Sequence, residues 1–231
     1  MTQTYGQFCP VAMASEFLCA RWTLLIIREL AGGTTRFNDL RRGLSRISPA
    51  LLSQRLKEME SLGIVERRPA PGDPRVSEYH LTPSGHELWP IVVGIGEWGQ
   101  RWIETEAMLQ KLDVNLLMWD MRRHLNPEPM PKQRSVIQFQ YPDQTPTLRR
   151  WWLVVTPGEM VDLCQIDPGF DVDLYVSSDL RTMTAIWMGY ETVKEARDAG
   201  RLQITGDKAL AANMQTWLGL SSLANVERMA S

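Results

Sequence analysis

Residues 48–81 run S-P-A-L-L-S-Q-R-L-K-E-M-E-S-L-G-I-V-E-R-R-P-A-P-G-D-P-R-V-S-E-Y-H-L, and this stretch decides the fold. Ser48 stands where a hydroxyl caps the orphan amides of a helix start, and Pro49 where a missing N–H costs nothing. Leu52, Leu56 and Met59 recur at helical spacing and predict an inward face. Ala50, Ser53, Gln54 and Lys57 are then left outward. Gly63 ends the helix, and Ile64–Arg68 and Val76–Leu81 alternate around Pro71, Gly72 and Pro74 as a two-stranded ribbon.

Working outward, three helices are predicted upstream: Pro10–Cys19, the apolar Arg21–Leu30 stopped by Gly32 and Gly33, and the short Phe37–Arg42. A turn through Gly43–Ile47 then leads into the helix at Pro49, so a helix–turn–helix is followed at once by a basic wing. Downstream, Thr82 and Pro83 open a helix whose apolar stripe runs Leu88, Ile91, Val92, Ile95 and on to Trp98 and Trp102. Glu104–His124 also reads as helical. The Pro-rich run N-P-E-P-M-P at 126–131 is a hinge between two compositions. Beyond it the period falls to two, predicting strands at Ser135–Tyr141, Arg150–Thr156, Met160–Ile166 and Asp171–Ser177, with helices near 179–188, 192–199 and 207–218. The expected fold is multidomain: a mainly-α winged helix-turn-helix domain over 1–105, a linker helix and hinge over 106–131, and an α+β domain over 132–231 with an antiparallel sheet covered by helices.

Charge is unevenly placed. Between Arg36 and Arg75 there are nine Lys/Arg against five acids, a net of +4, leaving −6 for the rest of a chain whose formal net charge is −2. Positive charge therefore concentrates on the helix and ribbon, as a phosphate-contacting surface requires. Arg46, Ser48, Ala50, Ser53, Gln54 and Lys57 around the helix, with Arg67, Arg68 and Arg75 on the ribbon, are the candidate contacts to double-stranded DNA. Glutamine suits adenine in a bidentate contact, and lysine adds phosphate affinity. Glu66, Asp73 and Glu78 interleave with the arginines and offer them local partners.

Other chemistries find little purchase. His80, His86 and His124 lack metal-ligand spacing, and the chain has no G-x-S-x-G elbow, P-loop or G-x-G-x-x-G. No catalytic residue, metal or cofactor is expected. No apolar run approaches the roughly 18–20 residues that span a bilayer, and the start M-T-Q-T-Y-G-Q-F-C-P lacks the regions of a signal peptide. Three cysteines without C-x-x-C spacing fit a reducing cytoplasm. Cys9 precedes Pro10 at a helix start, where the macrodipole favours thiolate, and is a candidate redox-sensing residue. Cys19 and Cys164 read as packing residues.

The first 105 residues resemble the HxlR-type branch of MarR-like winged-helix transcription regulators. The matching blocks are C-P-V-A (9–12), R-W-T-L-L-I-I-R-E-L (21–30), R-F-N-D-L-R-R (36–42), I-S-P-A-L-L-S-Q-R-L-K-E-M-E (47–60), G-I-V-E-R-R (63–68) and Y-H-L-T-P-S-G (79–85). The resemblance implies a homodimer on a near-palindromic operator, joined through the helices at Pro10–Cys19 and Leu88–Trp102. It also implies oxidant or electrophile sensing through the cysteine of the C-P-V block.

Residues 134–220 resemble a sterol-carrier-protein-2-type domain through D-V-D-L-Y-V-S-S-D-L (171–180) and G-R-L-Q-I-T-G-D-K-A-L-A (200–211). That resemblance implies an apolar ligand between sheet and helices. Trp151 and Trp152 must point to opposite sheet faces, and Trp151 shares the more apolar set with Leu153 and Val155. Phe139, Trp151, Leu153, Val155, Trp187 and Trp217 are the candidate lining for a small apolar effector. Trp98, Trp102 and Trp119 are expected to pack across the dimer or between domains. The alternative is a lipid or apolar-ligand carrier whose winged helix serves mainly for dimerisation.

Overall fold

A computed structural model describes residues 4–230. The first three residues of the segment read for a signal peptide lie outside the described residues. The chain divides into two compact units, Met1–Gly96 and Glu97–Ser231.

In the first unit, α1 (Pro10–Leu18) and α2 (Thr23–Ala31) precede α3 (Phe37–Gly43) and α4 (Pro49–Ser61). The second helix begins at Thr23 and not at Arg21, because Trp22 takes a left-handed φ of 82° that no helix continues through. Ser48 caps α4 as expected, its Oγ accepting from Leu51 N at 3.2 Å. Leu52, Leu56 and Met59 are buried and join Ile26, Ile27, Leu40, Ile64 and Val65 in one core. The wing is β1 (Val65–Ala70) antiparallel to β2 (Asp73–Leu81). Its register slips between Pro69 and Ala70, where prolines at 69 and 74 remove ladder donors. Tyr79 N donates to Thr35 O at 2.8 Å, which ties the segment before α3 to the wing.

After the wing, α5 (Pro83–Glu87) and α6 (Trp89–Trp102) replace one expected helix. The break falls at Leu88, just before Pro90. Glu104–His124 is likewise two helices, α7 (Thr105–Leu109) and α8 (Val114–His124). Asp113 interrupts them by turning its carboxylate onto the amides of Asn115 and Leu116 at 3.0 and 3.2 Å.

The second unit is built on a five-stranded sheet in the order β5-β4-β3-β6-β7. Its strands are β3 (Ser135–Gln140), β4 (Arg150–Val155), β5 (Asp162–Cys164), β6 (Leu174–Ser178) and β7 (Leu202–Gly206). The expected antiparallel sheet is a correction: β3 and β6 pair in parallel, and β7 is a fifth strand. From edge strand β5 the chain crosses back through 165–173 to reach the far side of β3. Val172 in that crossover packs on Val136, Trp152 and Val154, on the face away from the helices. Asp173 fixes the arrival, with Val136 N donating to its Oδ2 at 2.8 Å and Asp207 N to its carbonyl at 2.8 Å.

The other face carries α8, α9 (Leu180–Trp187), α10 (Val193–Asp198), α11 (Lys208–Ala212) and α12 (Met214–Trp217). Within the stretch 106–131 read as a linker, Val114, Leu117, Met118, Met121 and Met130 are buried in this unit's core. The proline run is tied down too, Asn126 N donating to Trp217 O at 2.8 Å. Trp119 is buried, with the Arg122 guanidinium 4.8 Å from its ring. No single helix among the described residues is long and apolar enough to cross a membrane.

Candidate nucleic-acid interface

The interface begins with a buried carboxylate and a half-buried guanidinium. Glu29 of α2 is fully buried, Arg28 Nη2 bonds its Oε1 at 2.8 Å, and the same guanidinium reaches Gly43 O at 3.3 Å. A Cβ on Gly43 would meet Glu29 Oε2 at 2.1 Å, so the end of α3 rests directly on this carboxylate. The turn into α4 therefore leaves from a fixed point. Sequence reasoning missed Glu29 and Gly43, although two adjacent charges inside an apolar helix are a visible signal.

From that turn α4 presents Ala50, Gln54 and Lys57 to solvent, while Ser53 is half-buried. Arg46 is exposed on the turn, and Ser48 is exposed with its oxygen committed to the cap. Gln54 Nε2 donates to Glu58 Oε1 at 2.9 Å. Arg55 Nη1 bonds Glu58 Oε2 at 2.5 Å, and Arg55 Nε donates to Arg21 O at 3.2 Å. Burial opposes ionisation of Glu58, but hydrogen bonds from Gln54 and Arg55 outweigh it and hold the carboxyl below its ordinary range.

On the wing, strand pleating separates two arginines that the sequence placed together. Arg67 pairs with Tyr79 and Arg68 with Glu78, on opposite faces of the ribbon. Arg68 also forms an ion pair with Glu66, and Arg75 with Asp73 at 3.0 Å, as the interleaved acids suggested. Arg75 nonetheless projects into solvent with a side-chain exposure of 90%. Arg67 and Arg75 join Arg36 and Arg42 of the α3 segment in an open cleft of about 560 Å³ between wing and helix. Arg36 and Arg42 were not among the predicted contacts, yet the run R-F-N-D-L-R-R carries them in plain view. Arg36 bonds Glu78 at 3.4 Å and Arg42 bonds Asp39 at 3.2 Å, so the two exposed guanidinium groups are oriented by acids that are themselves partly buried. The guanidinium groups keep N–H donors on their exposed side, where a phosphate oxygen can accept.

Cys9 is the N-cap of α1 and half-buried. The backbone amides of Ala12 and Val11 face its thiol and hold its pKa below the ordinary value. Cys19 is exposed rather than packed, and Cys164 packs against the Trp152 cluster.

The six residues proposed to line a ligand site come together in one core. Phe139, Trp151, Leu153, Val155, Trp187 and Trp217 are all buried in it, and Trp151 faces the helices as its alternation predicts. Trp151 Nε1 donates to Leu148 O at 2.8 Å and Trp217 Nε1 to Leu210 O at 2.7 Å, so both indole N–H groups are satisfied internally. Val155 also borders a shallow cleft of about 270 Å³ with Pro127, Met130 and Pro157.

A helix–turn–helix with a basic ribbon beside it, and a polar helix face opposite a buried one, define a winged helix-turn-helix transcriptional regulator. The chain belongs to the HxlR-like helix-turn-helix family, whose pattern matches residues 17–107. It is 38% identical over 104 residues to the uncharacterised HTH-type transcriptional regulator YvaP of Bacillus subtilis, covering 45% of this chain and 96% of that protein. The uncharacterised HTH-type transcriptional regulator YtfH of Escherichia coli is 34% identical over 94 residues, 41% of this chain and 75% of YtfH. Among solved structures, reduced YodB from B. subtilis is 33% identical over 41% of this chain and 93% of its own, with a TM-score of 0.36. The redox regulator HypR in its reduced form is 34% identical over 40% of this chain and 91% of its own, with a TM-score of 0.37.

Proposed function

We propose that this regulator binds a near-palindromic operator as a homodimer, with α4 in the major groove and the wing on the flanking backbone. The observation that carries the reading is the pairing of an outward polar face on α4 with an arginine cleft between wing and α3. Gln54 and Lys57 contact bases and phosphate from the helix, with Ala50 and Ser53 against the groove floor and Arg46 and Ser48 at its entry. Arg67 and Arg75 meet the backbone together with Arg36 and Arg42; Arg68, on the other ribbon face, is the weakest member of the set.

Dimerisation is supported by apolar surface that a monomer has no use for. Ile91, Ile95, Trp98 and Trp102 form one stripe along α6 with exposures of 50–60%, and Val11 and Met13 are exposed on α1. A Gln54→Ala/Lys57→Ala double variant tests the DNA contact: it should keep its fold and lose operator affinity by about 10-fold or more. Unchanged affinity would remove the mechanism.

Cys9 supports a second layer of control, because a lowered thiol pKa increases the thiolate that peroxides attack. Oxidant should release DNA from the wild type and spare Cys9→Ser; equal release from both would exclude Cys9 as the sensor.

For the second unit, the sheet with helices on one face is the layering that a sterol-carrier-like domain would have. An apolar effector at the six-residue cluster would have to displace core side chains, each no more than 5% exposed. The carrier alternative gains no support from a core so filled.

A further inference from the structure

We infer that Glu58 is a positioning residue that sets the base preference of α4 by fixing the amide of Gln54. The inference rests on the DNA-reading role proposed above and adds a residue to it. Both carboxylate oxygens of Glu58 are engaged, Oε1 by Gln54 Nε2 at 2.9 Å and Oε2 by Arg55 Nη1 at 2.5 Å. Arg55 is itself held from outside the helix, through Nε to Arg21 O at 3.2 Å. That carbonyl belongs to the corner before α2, where Trp22 takes a left-handed φ of 82° and the Arg21 guanidinium lies 5.3 Å from its ring. Glu58 is therefore tied, through Arg55, to the corner before α2 and not merely to its own helix.

A carboxylate only accepts hydrogen bonds, whereas a glutamine amide has one accepting and one donating end. Gln54 must therefore turn its NH2 group toward Glu58, since the flipped amide would set two oxygens against each other. What remains for DNA is one carbonyl oxygen and one N–H in a fixed order. That order matches the N6 amine and N7 of adenine. Without the carboxylate, the terminal torsion of glutamine is broad and two-fold, and the amide offers either order. Arg55 offsets the negative charge that would otherwise face the phosphates.

The test is a selection of preferred sites from a pool of randomised duplexes with the wild-type protein. Fluorescence anisotropy then measures binding to the enriched site, its single-base variants and an unrelated duplex. The wild type should discriminate by about 10-fold or more at one A·T pair in each half-site. Glu58→Gln should reduce that to under about 3-fold while Tm holds and affinity for the unrelated duplex does not fall, and Glu58→Ala should do the same. In a Gln54→Ala background, Glu58→Gln should change base discrimination no further. Discrimination retained in Glu58→Gln would overturn the inference, and so would an equal loss on specific and unrelated DNA. A further loss of discrimination on top of Gln54→Ala would do so as well. A wild type that enriches no sequence would overturn the DNA-reading role itself, and this inference with it.

Discussion

At the scale of single residues, the interface depends on side chains that never reach its surface. Gly43 is the sharpest case. Its missing Cβ makes room for a carboxylate that is fully buried and bonded to Arg28, so the neighbour has no free direction in which to give. Gly43→Ala should destabilise the first unit by about 1–3 kcal/mol, read as a lower denaturant midpoint, and weaken DNA binding by tilting the start of α4. An unchanged midpoint would mean that Glu29 is freer than its burial implies. At this scale the sequence shows residue types without their partners. Ser48 was legible as a cap, and Gln54 and Lys57 as outward residues because helical spacing alone puts them there. Glu29, Gly43 and Glu58 were not, because their roles come from contacts with other elements or from which end of an amide faces a carboxylate.

Among the elements, what could be read was periodicity, and what could not was direction. Alternation located β3, β4 and β6 to within a few residues, yet a strand reads the same in a parallel or an antiparallel pair. Pro168 and Gly169 suggest a hairpin turn, but the segment holding them crosses the sheet and brings β6 beside β3. The last strand, β7, was hidden in a stretch recognised only by its likeness to another domain. Its end is tightly determined: Gly206 has φ of +132°, and a Cβ there would lie 2.2 Å from Asp173 O. Gly206→Ala should therefore lower the Tm of the second unit by several degrees, with a cost of about 1–3 kcal/mol, and leave DNA affinity of the first unit intact. A neutral substitution would mean that the β6–β7 junction relaxes freely. The prolines and Asp113 show the opposite limit. Two expected helices were each divided by a local residue preference that a long hydrophobic stripe concealed.

For the molecule as a whole, two compact units carry different chemistry. Basic charge and polar outward faces gather in the first, and the second encloses a core filled with aromatic side chains. The apolar stripe on α6 is the feature that a single chain leaves unresolved. Trp98→Glu should shift the protein toward monomer in sedimentation and weaken binding to a two-half-site operator far more than to a single half-site. A dimer that survives this change would place the interface elsewhere. Family membership was legible from six short blocks because each fixes a structural need: a cap, a turn, a buried stripe, a wing. The organisation of 106–131 was not legible, since a proline-rich boundary in composition turned out to be anchored inside the second unit's core.

The proposed DNA contact uses specific side chains of α4 and the wing on a basic surface. It is tested most directly by equilibrium titration of a DNA duplex at stepped salt concentrations, with wild type, Lys57→Ala and Gln54→Ala. Wild-type affinity should fall linearly on a log–log plot, and Lys57→Ala should reduce the slope by about one. Gln54→Ala should keep the slope and lose sequence preference. An affinity indifferent to salt, or three proteins with the same slope and preference, would rule out that contact.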